Sequence, residues 1–218
     1  LIRGMALWLK ERHPRVRVVG VEPAGAASMS AALEAGEPVR LEHLDTFVDG
    51  AAVGRVGAMT YSIVAEHVDQ VVTVAEGAVC TEMLELYQVE GIIAEPAGAL
   101  ASTHAVGLDP LDVAQWCGAG EDGARPKALV CVVSGGNNDV SRYSEIVERS
   151  ALHEGLRHYF LVTFPQEPGA LRYFLDQVLS DGEDIVLFEY VKKNNRETGP
   201  ALVGIEIDSS SLLGPLLE

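Results

Sequence analysis

Four short segments of the 218-residue sequence combine glycine with a hydroxyl or a carboxylate in patterns suited to a flat polar ligand. The sharpest is Ser134-Gly135-Gly136-Asn137, which follows the apolar run Ala128 to Val133. In open α/β sheets ligands collect where strands end at their carboxyl edge. Two glycines there let a ring approach the backbone, and the serine hydroxyl offers a hydrogen bond. The same tetrapeptide also serves as a plain strand-to-helix turn. The second segment is Glu95-Pro96-Ala97-Gly98-Ala99, a carboxylate ahead of a proline and small residues that open a helix; the bland alternative is a loop with a solvated glutamate. Gly20-Val21-Glu22-Pro23 closes an early strand, and Asp49-Gly50-Ala51-Ala52-Val53-Gly54 forms a loop able to contact something flat.

The elements that must carry these segments are read from apolar spacing. Met5, Trp8 and Leu9 predict a helix that ends at His13-Pro14. Arg17 to Val21 predicts a strand, Ala26 to Ala35 a helix stopped by Gly36, and Ile63, Val64 and Val68 another helix. Val71 to Val74 predicts a strand, and Val79, Met83, Leu84 and Tyr87 a helix stopped near Gly91. Ala97 to Ala105 reads as a short helix, Ala128 to Val133 as a strand buried on both faces, and Val140, Tyr143, Ile146 and Val147 as a helix. This alternation predicts an α/β unit, a mainly parallel sheet with helices, over residues 1–149.

From residue 150 the pattern changes. Tyr159 to Phe164 is a strand, Pro168-Gly169 a turn, and Leu171, Phe174, Leu175 and Val178 a helix face. Asp184 to Lys192 is a strand alternating at Val186, Phe188 and Tyr190, Asn194-Asn195 a hairpin turn, and Ala201 to Ile207 the returning strand. Ser209 to Ser211 caps a short last helix. The order β-α-β-β-α over 150–218 is one strand short of a ferredoxin-like unit.

Composition narrows the function classes. With 32 acidic and 16 basic residues the formal charge is −16, which argues against general affinity for nucleic acid or anionic membranes. No window approaches the roughly 18 unbroken apolar residues of a membrane helix. Cys80, Cys117 and Cys131 have neither disulfide nor metal-ligand spacing and read as reduced, cytoplasmic thiols.

Taken in order, these segments resemble the C-terminal half of the catalytic domain of fold-type II pyridoxal-phosphate enzymes, and within that class the threonine dehydratases. The resemblance rests on Leu1 to Pro23, Asp49 to Val53, Val71 to Val74, Glu95 to Ala99 and Ser134 to Asn137. It implies that pyridoxal 5'-phosphate is the cofactor. Ser134 is then expected at the pyridine nitrogen, and Gly135, Gly136 and Asn137 around the ring. Glu95 is expected near the ring, and Gly50 and Ala51 in the wall facing cofactor and substrate. A hydroxyl at the pyridine nitrogen leaves it neutral and the ring a weaker electron sink, which suits loss of a β-hydroxyl better than transamination.

The family's covalent lysine lies in an upstream Ser-x-Lys motif, and its glycine-rich phosphate loop sits just ahead of the segment matching Leu1-Ile2. Neither is present; Lys10, Lys127, Lys192 and Lys193 lack the motif. We therefore expect no catalytic residue in this stretch, no activity from it alone, and a natural chain that begins upstream. Relatives bind a divalent cation after a pair like Glu22-Pro23, but Ser28 stands where the further acid belongs, so no metal is expected.

Residues 150–218 resemble the ACT-like regulatory domain of biosynthetic threonine dehydratases, carried by Phe164-Pro165-Gln166-Glu167-Pro168-Gly169-Ala170-Leu171. Gly169, Ala170 and Tyr190 are the expected effector-binding residues, in a domain expected to lack its last strand. The implied activity is conversion of L-threonine to 2-oxobutanoate and ammonia toward isoleucine, inhibited by isoleucine, in a cytoplasmic homo-oligomer. The alternative is a stand-alone amino-acid-sensing or assembly module with a degenerate catalytic half.

Overall fold

The computed structural model describes residues 1–109, 128–136, 138–180, 182–191 and 197–217, and the chain divides into two compact units, Leu1–Ile146 and Val147–Glu218.

The first unit is built around two parallel strands. β1 (Val19–Pro23) pairs with β2 (Gln70–Val74) in the register Val19 to Gln70 through Pro23 to Val74. Before and between them run α1 (Ile2–Arg12), α2 (Ser28–Ala35) and α3 (Ala58–His67), and after them α4 (Glu76–Gln88) and α5 (Pro96–Val106). Gly36 ends α2 with φ +76°, a left-handed conformation that glycine adopts without a Cβ clash. The core joins Phe47, Val48, Val79, Cys80, Met83, Leu86, Ala94, Ala99, Leu100 and Ile146. Of the segments singled out for chemistry, Ala99 belongs to this core, and Val21, Ala51 and Ala97 pack against it.

One predicted strand is absent. Residues 128–133 are neither strand nor helix, and no strand among the described residues pairs with them. Val130 is 80% exposed and Leu129 46%, while Cys131 and Val133 are half-buried. A strand exists only as part of a ladder, so a run patterned for burial on both faces stays irregular where neighbours are not supplied. Trp8 of the predicted α1 stripe is likewise exposed, lying under the Arg12 guanidinium at 4.9 Å, and Ala6 is the buried residue of that helix.

A helix, α6 (Tyr143–His153), leads from the first unit into the second. There β3 (Arg157–Pro165), α7 (Ala170–Val178), β4 (Glu183–Tyr190) and β5 (Thr198–Ile207) follow, then α8 (Leu213–Leu217). The sheet is antiparallel in the order β3-β5-β4, which leaves β3 and β4 at its edges. Its inner face packs Phe164, Ala201, Val203, Ile205 and Ile207 against Phe174 of α7. Phe164 meets Phe174 edge-on at 5.1 Å and Phe188 at 5.7 Å. The alternation of β4 differs from expectation. The register slips between Ile185 and Leu187, so Ile185 packs inward and Val186 is the extra, exposed residue. One inserted residue reverses the facing of everything before it, so Val186 leaves the face that Phe188 and Tyr190 share. The Asn194-Asn195 turn lies outside the described residues.

Candidate functional site

Three of the four segments meet at one place. The Ser134 carbonyl accepts from the Glu95 N–H at 3.3 Å, and the Asn138 side-chain amide donates to the Ala94 carbonyl at 3.2 Å. The two turns approach so closely that a Cβ on Gly98 would stand 1.8 Å from the Ser134 oxygen. Gly135 has φ +83°, and a Cβ on it would lie 2.2 Å from the Glu95 carboxyl carbon. From the other side a Cβ on Gly50 would touch the Ala97 Cβ at 3.0 Å, with a Glu95 oxygen 4.0 Å away. At Gly98 the obstacle is backbone, which demands glycine; Gly135 is held to glycine by its positive φ, and Gly50 sits in tight contact with Ala97.

The surrounding structure explains why these turns stay together. Glu95 is the N-cap residue of α5, with Pro96 in its first turn, and the Gly98 and Ala99 N–H groups donate to the Glu95 carbonyl at 2.9 and 3.1 Å. Ala94, Ala99 and Leu100 sink into the core on one side of this turn, Phe47 and Val48 beside the Gly50 turn, and Val133 packs against the same core ahead of Ser134. The Glu76 carboxylate accepts from the Gly25 N–H at 2.6 Å, Gly25 accepts from the Asp45 N–H at 2.9 Å, and Asp45 accepts from the Phe47 N–H at 2.8 Å. Ala51 is half-buried on the core, whereas Ser134, Gly136 and Gly50 are exposed. Asn137 lies outside the described residues. Cys131 offers no thiolate nucleophile nearby: burial, then the charge of Glu82, pushes its pKa up.

The fourth segment goes elsewhere. Both oxygens of Glu22 are engaged by the start of α2, accepting from the Met29 and Ser30 N–H groups at 2.8 Å and from the Ser30 hydroxyl at 2.9 Å. Ser28 is buried. Among the described residues no group of three His, Cys, Asp or Glu side chains is arranged to hold a metal ion.

In the second unit Gly169 has φ +96° and is the N-cap residue of α7, with no side-chain cap. Ala170 and Tyr190 pack on the same core, the Tyr190 ring 6.0 Å from that of Phe164. Tyr190 therefore takes part in the aromatic packing of the sheet.

Two residues that spacing did not single out hold this geometry: Asn138 and Arg142. Asn138 adjoins the glycine pair, where a local signal existed. Arg142 bonds to Phe47, 95 residues away, and no local pattern announces such a pair. Away from the site, Lys10 donates to Asp69 at 2.6 Å and to the Val16 carbonyl at 2.9 Å.

Residues 1–135 match the family described as "Pyridoxal-phosphate dependent enzyme". The chain belongs to that family. Residues 148–218 match the "C-terminal regulatory domain of Threonine dehydratase". Among curated relatives, the biosynthetic L-threonine dehydratase of Mycobacterium tuberculosis is 60% identical over 218 residues, covering 99% of this chain and 48% of its own. That of Bacillus subtilis is 49% identical, covering 100% and 49%. The chain thus spans about half the length of the curated relatives it matches. The processed form of threonine deaminase isoform 2 from Solanum lycopersicum superposes with a TM-score of 0.57 at 33% identity, covering 69% of this chain and 41% of that one. Maize serine racemase gives 0.55 at 27% identity, covering 68% and 43%. The first unit is therefore part of a fold-type II domain.

The residues present suit the family's cofactor. Gly98, Gly135 and Gly50 let the turns pack on one another, and beside them Gly136 has open space where a Cβ would be and Ser134 is exposed; a pyridine ring needs backbone within reach of its plane and a hydroxyl for its nitrogen.

Proposed function

We propose that this chain supplies the C-terminal half of a biosynthetic threonine dehydratase, converting L-threonine to 2-oxobutanoate and ammonia. The observation that carries the reading is the convergence of Ser134-Gly135, Glu95 to Gly98 and Gly50 at one place, beside the open backbone of Gly136. Residues 1–149 are read as part of the cofactor domain and 150–218 as the regulatory domain. The similarity to biosynthetic dehydratases over the full chain supports this division of labour.

Pyridoxal phosphate supplies the electron sink that makes an amino acid's α-proton removable. The chain's own part is to hold that group. Ser134 is assigned to its pyridine nitrogen, where a hydroxyl, unlike a carboxylate, does not keep the nitrogen protonated. Gly135 and Gly136 let the ring lie against the backbone, and Asn137, next in sequence, is assigned to the ring's surroundings. Gly50 and Ala51 form the facing wall. Glu95 stands between the two, its carboxyl carbon packed on Gly135. No residue of this chain is assigned the covalent bond to the cofactor.

Gly169, Ala170 and Tyr190 are assigned to an amino-acid effector, isoleucine being the one that suits the pathway. The uncapped N–H groups at the start of α7 suit a carboxylate. A cytoplasmic homo-oligomer fits this reading. Among the described residues no helix is long and apolar enough to cross a membrane. The decisive experiment follows 2-oxobutanoate formation from L-threonine by the full-length protein, with and without L-isoleucine. Threonine turnover inhibited by isoleucine supports the reading; turnover untouched by isoleucine removes the biosynthetic assignment, and no turnover removes the activity.

A further inference from the structure

The Gly50 turn is held from outside by one side chain. Arg142 donates from its guanidinium to the Phe47 carbonyl at 2.6 Å, lies over the Phe47 ring at 5.0 Å, and reaches to 3.7 Å from the Asp49 carboxylate. Phe47 is itself core, 4% exposed, and Asp49 accepts from the Gly50 N–H at 2.8 Å. The turn then closes on itself, the Ala51 N–H donating to Val48 and the Ala52 N–H to Asp49.

Arg142 is as firmly set at its own end. It lies six residues after Gly136, in the short 3-10 turn Val140–Arg142, where Asp139 accepts from the Ser141 N–H at 2.9 Å. Asn138, between the two, ties the same stretch to Ala94. The stretch that leaves the Ser134 turn is thus fastened to the Glu95 turn by Asn138 and to the Gly50 turn by Arg142.

We propose that Arg142 is a positioning residue for the cofactor site: it fixes the Gly50–Ala51 wall against the Ser134–Gly136 turn and so sets the gap between them. This rests on the reading of that surface as the cofactor site. Arg142 acts through the Phe47 carbonyl and Asp49 rather than on any reacting atom. The side chain must donate to a carbonyl, stack on a ring and face a carboxylate together. A planar guanidinium can do all three, whereas an ammonium is a point charge that satisfies one.

The test compares Arg142→Met and Arg142→Lys with the parent in the full-length, cofactor-loaded protein, reading backbone hydrogen exchange and steady-state kinetics. Arg142→Met is expected to speed exchange at Ala51, Ala52 and Val53 about tenfold, the factor one charge-assisted hydrogen bond carries, with β1 and β2 unchanged. KM for L-threonine should rise about tenfold with kcat nearly constant, as when ground-state and transition-state binding are lost alike. Arg142→Lys should recover much of the exchange protection and little of KM. Unchanged exchange at these amides, faster exchange spread evenly over residues 1–146, or a lysine variant that recovers KM in full would each overturn the proposal. A parent protein that does not turn over threonine would defeat the functional reading, while the exchange measurement would still decide whether Arg142 holds the turn.

Discussion

Gly98 reverses the usual arithmetic of helix propensity. It lies inside α5, where replacing glycine with alanine ordinarily stabilises by about 1 kcal/mol. Here the new Cβ would stand 1.8 Å from a backbone oxygen of Ser134, which cannot rotate away as a flexible side chain could. Overpacking of this kind costs about 1–3 kcal/mol and sometimes more, so the steric term wins. We expect Gly98→Ala to lower stability by about 2 kcal/mol in urea unfolding, and to displace the Ser134 turn with it. Asp69 makes a second prediction at this scale. Burial opposes its ionisation, but hydrogen bonds from Lys10 and the Val18 N–H, with the charges of Lys10 and Arg17, outweigh that and hold its pKa below the usual 3.8. A depressed carboxylate contributes stability that is fully present above its unfolded pKa and is lost as pH falls through the folded value. Asp69→Asn should therefore destabilise the chain at pH 7. The difference between variant and parent should shrink as unfolding is measured from pH 5 downward through the acid range.

Helix α2 shows how an element can be started by a residue outside it. Ala27, its N-cap residue, has no side chain able to cap, and Glu22 from the preceding strand accepts three hydrogen bonds instead. Capping losses run to about 1–2 kcal/mol and are larger when the acceptor is charged. Glu22→Ala should cost about 2 kcal/mol in thermal or urea unfolding, and Glu22→Gln less, since its amide oxygen still accepts. A loss within a few tenths would show that α2 stands without the cap. Most elements were legible because apolar spacing is a local property: α4, α5, α6, α7 and the strands β1 to β5 were all expected. What was not legible depended on distant partners. Residues 128–133 carry a strand's composition but have no ladder among the described residues, and the bulge at Val186 arises from pairing with β5 rather than from its own neighbours. At the site, the glycines and Ser134 stood out in sequence. Glu22's capping role and Arg142's grip on Phe47 did not, because each is written in two segments at once.

At the scale of the whole molecule, two units of different construction share one chain, a parallel pair wrapped by helices and an antiparallel sheet with its own aromatic core. Each has a separate apolar core, so a mutation confined to one should leave the packing of the other intact. The sheet of the second unit has a further consequence. No strand among the described residues pairs with the outer edge of β3, a nine-residue strand in which Leu161 is 79% exposed. An open strand edge is a row of amide donors and carbonyl acceptors that another chain can match. In concentrated solution such edges find one another, so light scattering by this chain should grow faster than its concentration. Leu161→Lys, a charge at the margin of the sheet, should suppress that growth without altering the fold of the monomer; equal scattering by the two would mean the edge is already screened. The shelf life of the purified protein would then be set less by how firmly it folds than by how readily one copy mistakes its neighbour for its own next strand.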